Sequence, residues 1–213
     1  MTEIMGEVSW NDRLEEYFAS SGEKAHCLSL LHKQAESLYS YRRTFIELPV
    51  IVGSGLIGFL NAGSTSMFDD PKTSSIALGI GSLLVSILQT INTYFNWAKR
   101  AEGHRIASIQ YGKLYRFLSV EMSLPRHERG SPTELLKTTK DTYDRLQEIS
   151  PLLPPEVLND FKRKYANDKT ISKPEEANGL EKIEVFTENP MRQPSSSVSL
   201  SPNASGTASG IDT

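Results

Sequence analysis

The chain has one cysteine, Cys27, so no disulfide can close within it and its thiol content gives no sign of an oxidising compartment. It has no excess of basic residues: the formal net charge is -3, which gives nucleic acid no electrostatic footprint to bind. It also lacks the spacings that carry chemistry. The histidines at 26, 32, 104 and 127 form no HxxxH or HExxH pattern, and Cys27 has no CxxC partner, so no metal is expected. His26 and Cys27 are neighbours on a helical stretch and point in different directions, which excludes a nucleophile and base pair. Gly53-Ser54-Gly55-Leu56-Ile57-Gly58 copies the glycine spacing of a nucleotide loop, but it lies inside an apolar run and follows no strand. The residues therefore predict neither an enzyme nor a cofactor. The most informative absence is charge. None occurs from Leu48 to Phe68, and none from Thr73 to Ala98.

Both charge-free runs are long enough to cross the ~30 Å hydrocarbon layer, which takes ~20 apolar residues. Their position divides the chain into four parts. Residues 1–44 are mixed and charged, show no cleaved signal, and read as helix from about residue 9 to 41. Ser9 or Asn11 is placed to cap this helix, Asp12, Glu15 and Glu16 suit its first turn, and Gly22 is expected to break it in two. Residues 45–98 form a hairpin with spans at about 45–62 and 75–97. Pro49 sits in the first turns of the first span, and Asp69-Asp70-Pro71 signals the turn between the two. Residues 99–166 continue as helix, with breaks at Pro125–Gly130 and at the prolines 151, 154 and 155. Ser131-Pro132-Thr133-Glu134 opens a helix to about Ile149, and Pro155 opens a last one through Tyr165. Residues 167–213 are rich in Ser, Pro and Gly towards the end and read as a disordered tail. The predicted class is an all-α membrane protein: a two-helix transmembrane hairpin, long helical extensions forming a coiled bundle, and a tail.

Orientation follows from the cations. Lys33, Arg42 and Arg43 precede the hairpin, Lys99, Arg100, Arg105, Lys113 and Arg116 follow it, and the connecting loop has only Lys72. The positive-inside rule then puts both termini in the cytosol of a multi-pass integral membrane protein. The sequon Asn203-Ala204-Ser205 would stay on the cytosolic side, unglycosylated.

The polar residues of the second span are not scattered. Ser75, Gly79, Ser82, Ser86, Gln89, Thr93 and Asn96 recur in alternating steps of four and three, which makes one stripe along a helix, and Arg100 extends it by a turn. The first span has its own small-residue face at Ser54, Gly58 and Ala62. Two readings stand. The stripe is a helix–helix interface, within the hairpin or between subunits, or it lines a water-filled path in an oligomer, since one hairpin cannot enclose a pore. Glu47, at the edge of the first span, is either an interfacial acid paired with Arg42 or Arg43, or part of a charged ring at a pore mouth. Arg42, Arg43, Glu47, Lys99 and Arg100 are the charges expected at the membrane interface.

A helix ending in Tyr41-Arg42-Arg43, a two-span hairpin, an exit helix with Ala101-Glu102-Gly103-His104 and Tyr111, and a late proline-bounded helix together resemble the SLATT superfamily over about residues 20–165. That resemblance implies a two-span membrane effector whose members are thought to form pores, many tied to nucleotide-sensing antiviral systems. The chain has no fused sensor domain, and no nucleotide site carries over. The expectation is an oligomeric two-span membrane protein, pore-forming through its second span. The alternative is a structural or scaffolding membrane protein whose stripe only packs helices. Its expected partners are the lipid bilayer, further copies of itself, and proteins recruited by the cytosolic helices or the tail.

Overall fold

A computed structural model describes residues 8–63, 70–165 and 171–179. The remaining tail, with its sequon, and the loop residues 64–69 lie outside the described residues. Among the described residues the fold is all-helical: α1 (Asp12–Ala62), α2 (Pro71–Phe95), α3 (Trp97–Ser123), α4 (Pro132–Ile149), α5 (Pro155–Lys164) and a four-residue α6 (Glu175–Asn178).

α1 is 51 residues long, which at 1.5 Å per residue is about 77 Å. Asn11 is its N-cap: its side-chain oxygen accepts from Leu14 N–H at 2.9 Å, and Asp12 and Glu15 lie in the first turn. Two expectations are corrected by its length. Gly22 does not break the helix; it is buried where α3 crosses, and a Cβ there would meet Leu118 Cβ at 3.5 Å. Pro49 is not in a first turn. It lies well inside α1, so the Phe45 carbonyl gets no helical N–H from position 49. The distal helix therefore enters the apolar segment without a break.

α1 and α3 pack antiparallel to form the distal bundle. The buried face of α1 carries Phe18, Gly22, Ala25, Leu28, Leu31, His32, Ala35 and Tyr39, and that of α3 carries Ala101, His104, Ala107, Tyr111, Leu114 and Leu118. Many of these are small because the helices approach closely. Ser29 Oγ donates to the Ser108 carbonyl and Ser108 Oγ to the Ser29 carbonyl, both at 2.9 Å, and a Cβ on Gly112 would meet Ser29 Oγ at 3.2 Å. The larger Ile106, Ile109, Phe117 and Val120, which keep the apolar rhythm of the sequence, are instead exposed by 41–62%.

The far end of the bundle is closed by charge. Arg129 donates to Glu15 at 2.6 Å and to the Leu124 carbonyl at 2.7 Å, and it lies over the Trp10 ring at 5.1 Å. Arg126 also pairs with Glu15 and with Asp12. The Arg126 and Arg129 guanidiniums pull the Glu15 carboxyl down to about 2. From there α4 runs back towards the hairpin, burying Leu135, Thr139 and Leu146, and Tyr143 meets Tyr111 edge-on. α5 buries Val157 and Phe161. Residues 171–178 pack against α1 as well. Ser172 N–H donates to Glu23 at 2.7 Å, and Cys27 Sγ approaches the Ser172 carbonyl at 3.9 Å. Pro174 and Ala177 are buried.

Candidate functional site

The apolar hairpin is formed by the last part of α1 and by α2. Asp70 caps α2, accepting from Lys72 N–H at 3.2 Å and Thr73 N–H at 3.3 Å, and Pro71 stands in the first turn. Both helices are long and apolar enough to cross a membrane, and almost none of either apolar stretch is buried within the chain.

The two helices touch along a narrow seam. On α2 it runs Ser74, Leu78, Gly81, Val85, Leu88, Asn92, and on α1 it runs Ile46, Val50, Gly53, Ile57, Leu60. Glycines set the closeness: a Cβ on Gly53 would lie 3.1 Å from Val85 Cγ2, and one on Gly81 would lie 3.4 Å from Ile57. At the bundle end of the seam Glu47 is held by Arg43 Nε at 2.8 and 2.9 Å, with Asn92 Nδ2 at 3.5 Å. Asn92 was not among the residues singled out from the sequence. Its signal was its register, four residues beyond Leu88 on the glycine-containing row.

Every expected stripe residue within α2 sits one position after a seam residue: Ser75, Gly79, Ser82, Ser86, Gln89 and Thr93. Each is exposed. The stripe therefore does not pack against α1, and the hairpin's own interface is a different row of residues. Thr93 Oγ1 donates to the Gln89 carbonyl at 2.9 Å, as Thr90 Oγ1 does to Ser86 at 2.8 Å. Ser54, Gly58 and Ala62 are exposed too, and nothing lies within 4 Å of a Cβ built on Gly55 or Gly58.

The two rows share a side. One residue is a 100° turn of a right-handed helix. In an antiparallel pair the chains run in opposite directions, so stepping one residue past the seam turns both helices towards the same flank. Ser54 and Gly58 follow Gly53 and Ile57 by one, just as Ser82 and Ser86 follow Gly81 and Val85. One flank of the hairpin thus sets Ser54 and Gly58 of α1 beside the polar row of α2, with the exposed Ile51 as the one large aliphatic side chain of that α1 row. The opposite flank, one residue before the seam, holds Phe45, Val52, Leu56 and Phe59 with Ile80, Leu84 and Ile87, exposed by 47–67%.

The end of the stripe departs from expectation. α2 stops at Phe95, and Asn96 adopts the left-handed conformation at φ 48° before α3 begins at Trp97. Asparagine tolerates this region better than most residues. Asn96 is the cap residue shared by α2 and α3 and not a member of the helical row. Arg100 does not continue the row either: its Nε donates to the Phe95 carbonyl at 3.1 Å across the break, and Trp97 stacks on Phe95 at 5.0 Å. Of the remaining charges expected at a membrane interface, Arg42 donates from Nη2 to both carboxylate oxygens of Glu156 at 2.7 and 3.0 Å, and Lys99 is exposed.

Further along the bundle, His32 Nδ1 and His104 Nδ1 lie 2.9 Å apart, both rings buried. Tyr111 stacks on His32 and Tyr39 on His104, with ring centroids 5.6 and 5.4 Å apart. Burial, with the neighbouring His104, pushes His32 down to about 4, and burial, with Arg100, lowers His104. Among the described residues no group of three His, Cys, Asp or Glu is placed to hold a metal ion. Comparison with known protein families, curated proteins and solved structures found no match to this chain.

Proposed function

We propose that this is an oligomeric two-span integral membrane protein whose small and polar flank faces other copies and lines a conductive or permeabilising path, with both termini cytosolic. The supporting observation is the separation of the seam from the stripe. The hairpin's own packing uses Gly53, Ile57, Gly81 and Val85, so Ser82, Ser86 and Gln89 are left over, on the same flank as Ser54 and Gly58. A glutamine side chain turned to hydrocarbon leaves its donors and acceptor unpaired, so this flank belongs against protein or water. The opposite flank, where Phe45, Val52, Leu56, Phe59, Ile80, Leu84 and Ile87 are exposed, suits lipid. The exposed Ile106, Ile109, Phe117 and Val120 on α3 supply an apolar row for assembly outside the membrane. Glu47, engaged by Arg43 and Asn92, is an interfacial acid that braces the hairpin. The similarity to the SLATT superfamily points to the same reading.

The test is electrical. The purified chain in planar bilayers is compared with a Ser82→Leu/Gln89→Leu variant, with insertion verified for both. Asn96 is left alone, because a leucine at its left-handed φ would strain the α2–α3 junction. Discrete conductance in the wild type that is lost or altered in the variant supports the path. Conductance unchanged by both leucines refutes it. The alternative is a scaffolding role in which the flank only packs copies together. It predicts that the same substitutions change oligomer stability and that the wild type is silent.

A further inference from the structure

We infer that the turn between α4 and α5 is an interfacial anchor that inserts Leu152 into the headgroup layer of the bilayer the hairpin crosses. The inference rests on the two-span reading, and its observations are separate from the stripe. The turn reads Ile149-Ser150-Pro151-Leu152-Leu153-Pro154-Pro155, seven residues without a charge. Leu153 packs on the core and Pro154 is buried, while Leu152 is 93% exposed and Ile149 60%. Among the described residues no large hydrophobic side chain is more exposed than Leu152.

Position identifies what covers it. α4 starts at the far end of the bundle, where Val8 N–H reaches Thr133, passes Tyr111 at Tyr143, and arrives beside Gly103, where a Cβ would meet Pro151 at 3.5 Å. α5 then begins where Glu156 holds Arg42 and runs away from the hairpin, its Asp160 and Lys164 lining a groove with Gln34 and Leu38. The turn is therefore the point of the α4–α5 pair nearest the hairpin. Gly103 is six residues beyond Trp97, about 9 Å along the helix, and Arg42 is three residues, about 4.5 Å, before Phe45. Headgroup layers extend roughly 5–7 Å beyond the hydrocarbon on each side, so Arg42 lies within that layer and Gly103 about 2 Å outside it, which brackets the turn at the layer's outer edge. Backbone chemistry suits the place as well. Pro151, Pro154 and Pro155 have no N–H, so the turn takes fewer unpaired donors towards lipid than an ordinary loop.

Tryptophan fluorescence in bilayers with brominated acyl chains tests this on the full chain. One reporter keeps Trp97 alone through Trp10→Phe. A second carries Trp10→Phe, Trp97→Phe and Leu152→Trp, at a site exposed enough to accept the larger ring. Both are compared in brominated and unbrominated lipid, in nanodiscs holding one copy each. The expected result is that the Trp97 reporter is quenched and that the Leu152→Trp reporter is blue-shifted and also quenched, more strongly by bromine near the headgroup than deep in the chain. A quenched Trp97 reporter beside an unquenched Leu152→Trp reporter overturns the anchor while leaving the hairpin in the membrane. That holds whether the second emission is that of exposed or of protein-buried indole. An unquenched Trp97 reporter overturns the two-span reading and the anchor with it.

Discussion

Mild acid should loosen the distal bundle while leaving the apolar hairpin in place. The perturbation acts on His32 and His104, whose Nδ1 atoms face each other at 2.9 Å. Such a contact needs one ring to donate from Nδ1 and the other to accept there, and burial, which disfavours the charged form of both, leaves the two as opposite neutral tautomers at neutral pH. Protonating the accepting ring at Nδ1 puts two N–H groups face to face, and protonating the donating ring at Nε2 keeps the contact but leaves a charge in a buried pair. Arg100 opposes it further from the α3 side. The folded pKa of His32 is lowered from 6.5 to about 4, so the unfolded chain binds the proton more readily. The stability this gives is complete above pH 6.5 and is lost as pH falls towards 4. One proton of difference costs about 1.4 kcal/mol per pH unit, so roughly 2 kcal/mol is gone by about pH 5 and about 3 kcal/mol by pH 4. His104, lowered in the same direction, adds to the loss. The Glu15 carboxyl, held at about 2 by Arg126 and Arg129, weakens the bundle only below its ordinary 4.5, so between pH 7 and 5 the loss belongs to the histidines. The assay is amide hydrogen exchange of the chain in nanodiscs, corrected for intrinsic rates, following residues 28–35 and 104–114. Opening free energies should fall between pH 7 and 5 along this slope. A His32→Leu/His104→Leu variant, which removes both polar partners together, should be close to neutral at pH 7 and lose the slope. Protection flat across that range in the wild type, or a slope that survives in the double variant, would refute the account.

Other outcomes follow from individual contacts. Gly53→Val drives a side chain against Val85 and should cost about 1–3 kcal/mol in the thermal stability of the hairpin. Gly58→Leu, built into open space, should leave a single copy unaffected and weaken self-association seen by cross-linking in bilayers. Asn96→Gly should preserve the α2–α3 junction, whereas Asn96→Leu should cost ~1–2 kcal/mol for a left-handed leucine, read as lowered thermal stability. Leu31→Ala, at a position with no exposure in the middle of the bundle, should lower stability by about 2–5 kcal/mol in chemical denaturation. Arg129→Lys should destabilise the far end of the bundle and speed exchange near Glu15, because lysine cannot fork between a carboxylate and a carbonyl.

The parts of this chain that were legible in advance are those dictated by local chemistry. Charge-free runs, the Ser131-Pro132 start of α4, the Pro155 start of α5 and the Asn11 cap all act over one or two turns, and the helices begin and end within a few residues of them. What the sequence hid was pairing. Gly22 has the same local cost in a helix whether or not α3 lies against it, so only the Leu118 contact explains why it stays helical. The three-to-four rhythm of α3 runs Ile106, Ile109, Leu114, Phe117 and Leu118, of which only Leu114 and Leu118 are buried; towards the hairpin the buried row is Ala101, His104, Ala107 and Tyr111, because the close approach there favours small side chains and flat rings. The same blindness applied to the hairpin. Periodicity established that Ser82, Ser86 and Gln89 share a row, but a row has no direction until the neighbouring helix is in place. Gly81 and Val85, one residue earlier, form an equally regular row, and a 3.1 Å approach at Gly53 decides between them. Once that row is spent on the hairpin itself, the polar row needs another partner. In the proposed oligomer that partner is a second copy of this flank: Ser54 and Gly58 on the same side would let helices of neighbouring copies approach, and the hydroxyls and amide on α2 would then meet around the space between them.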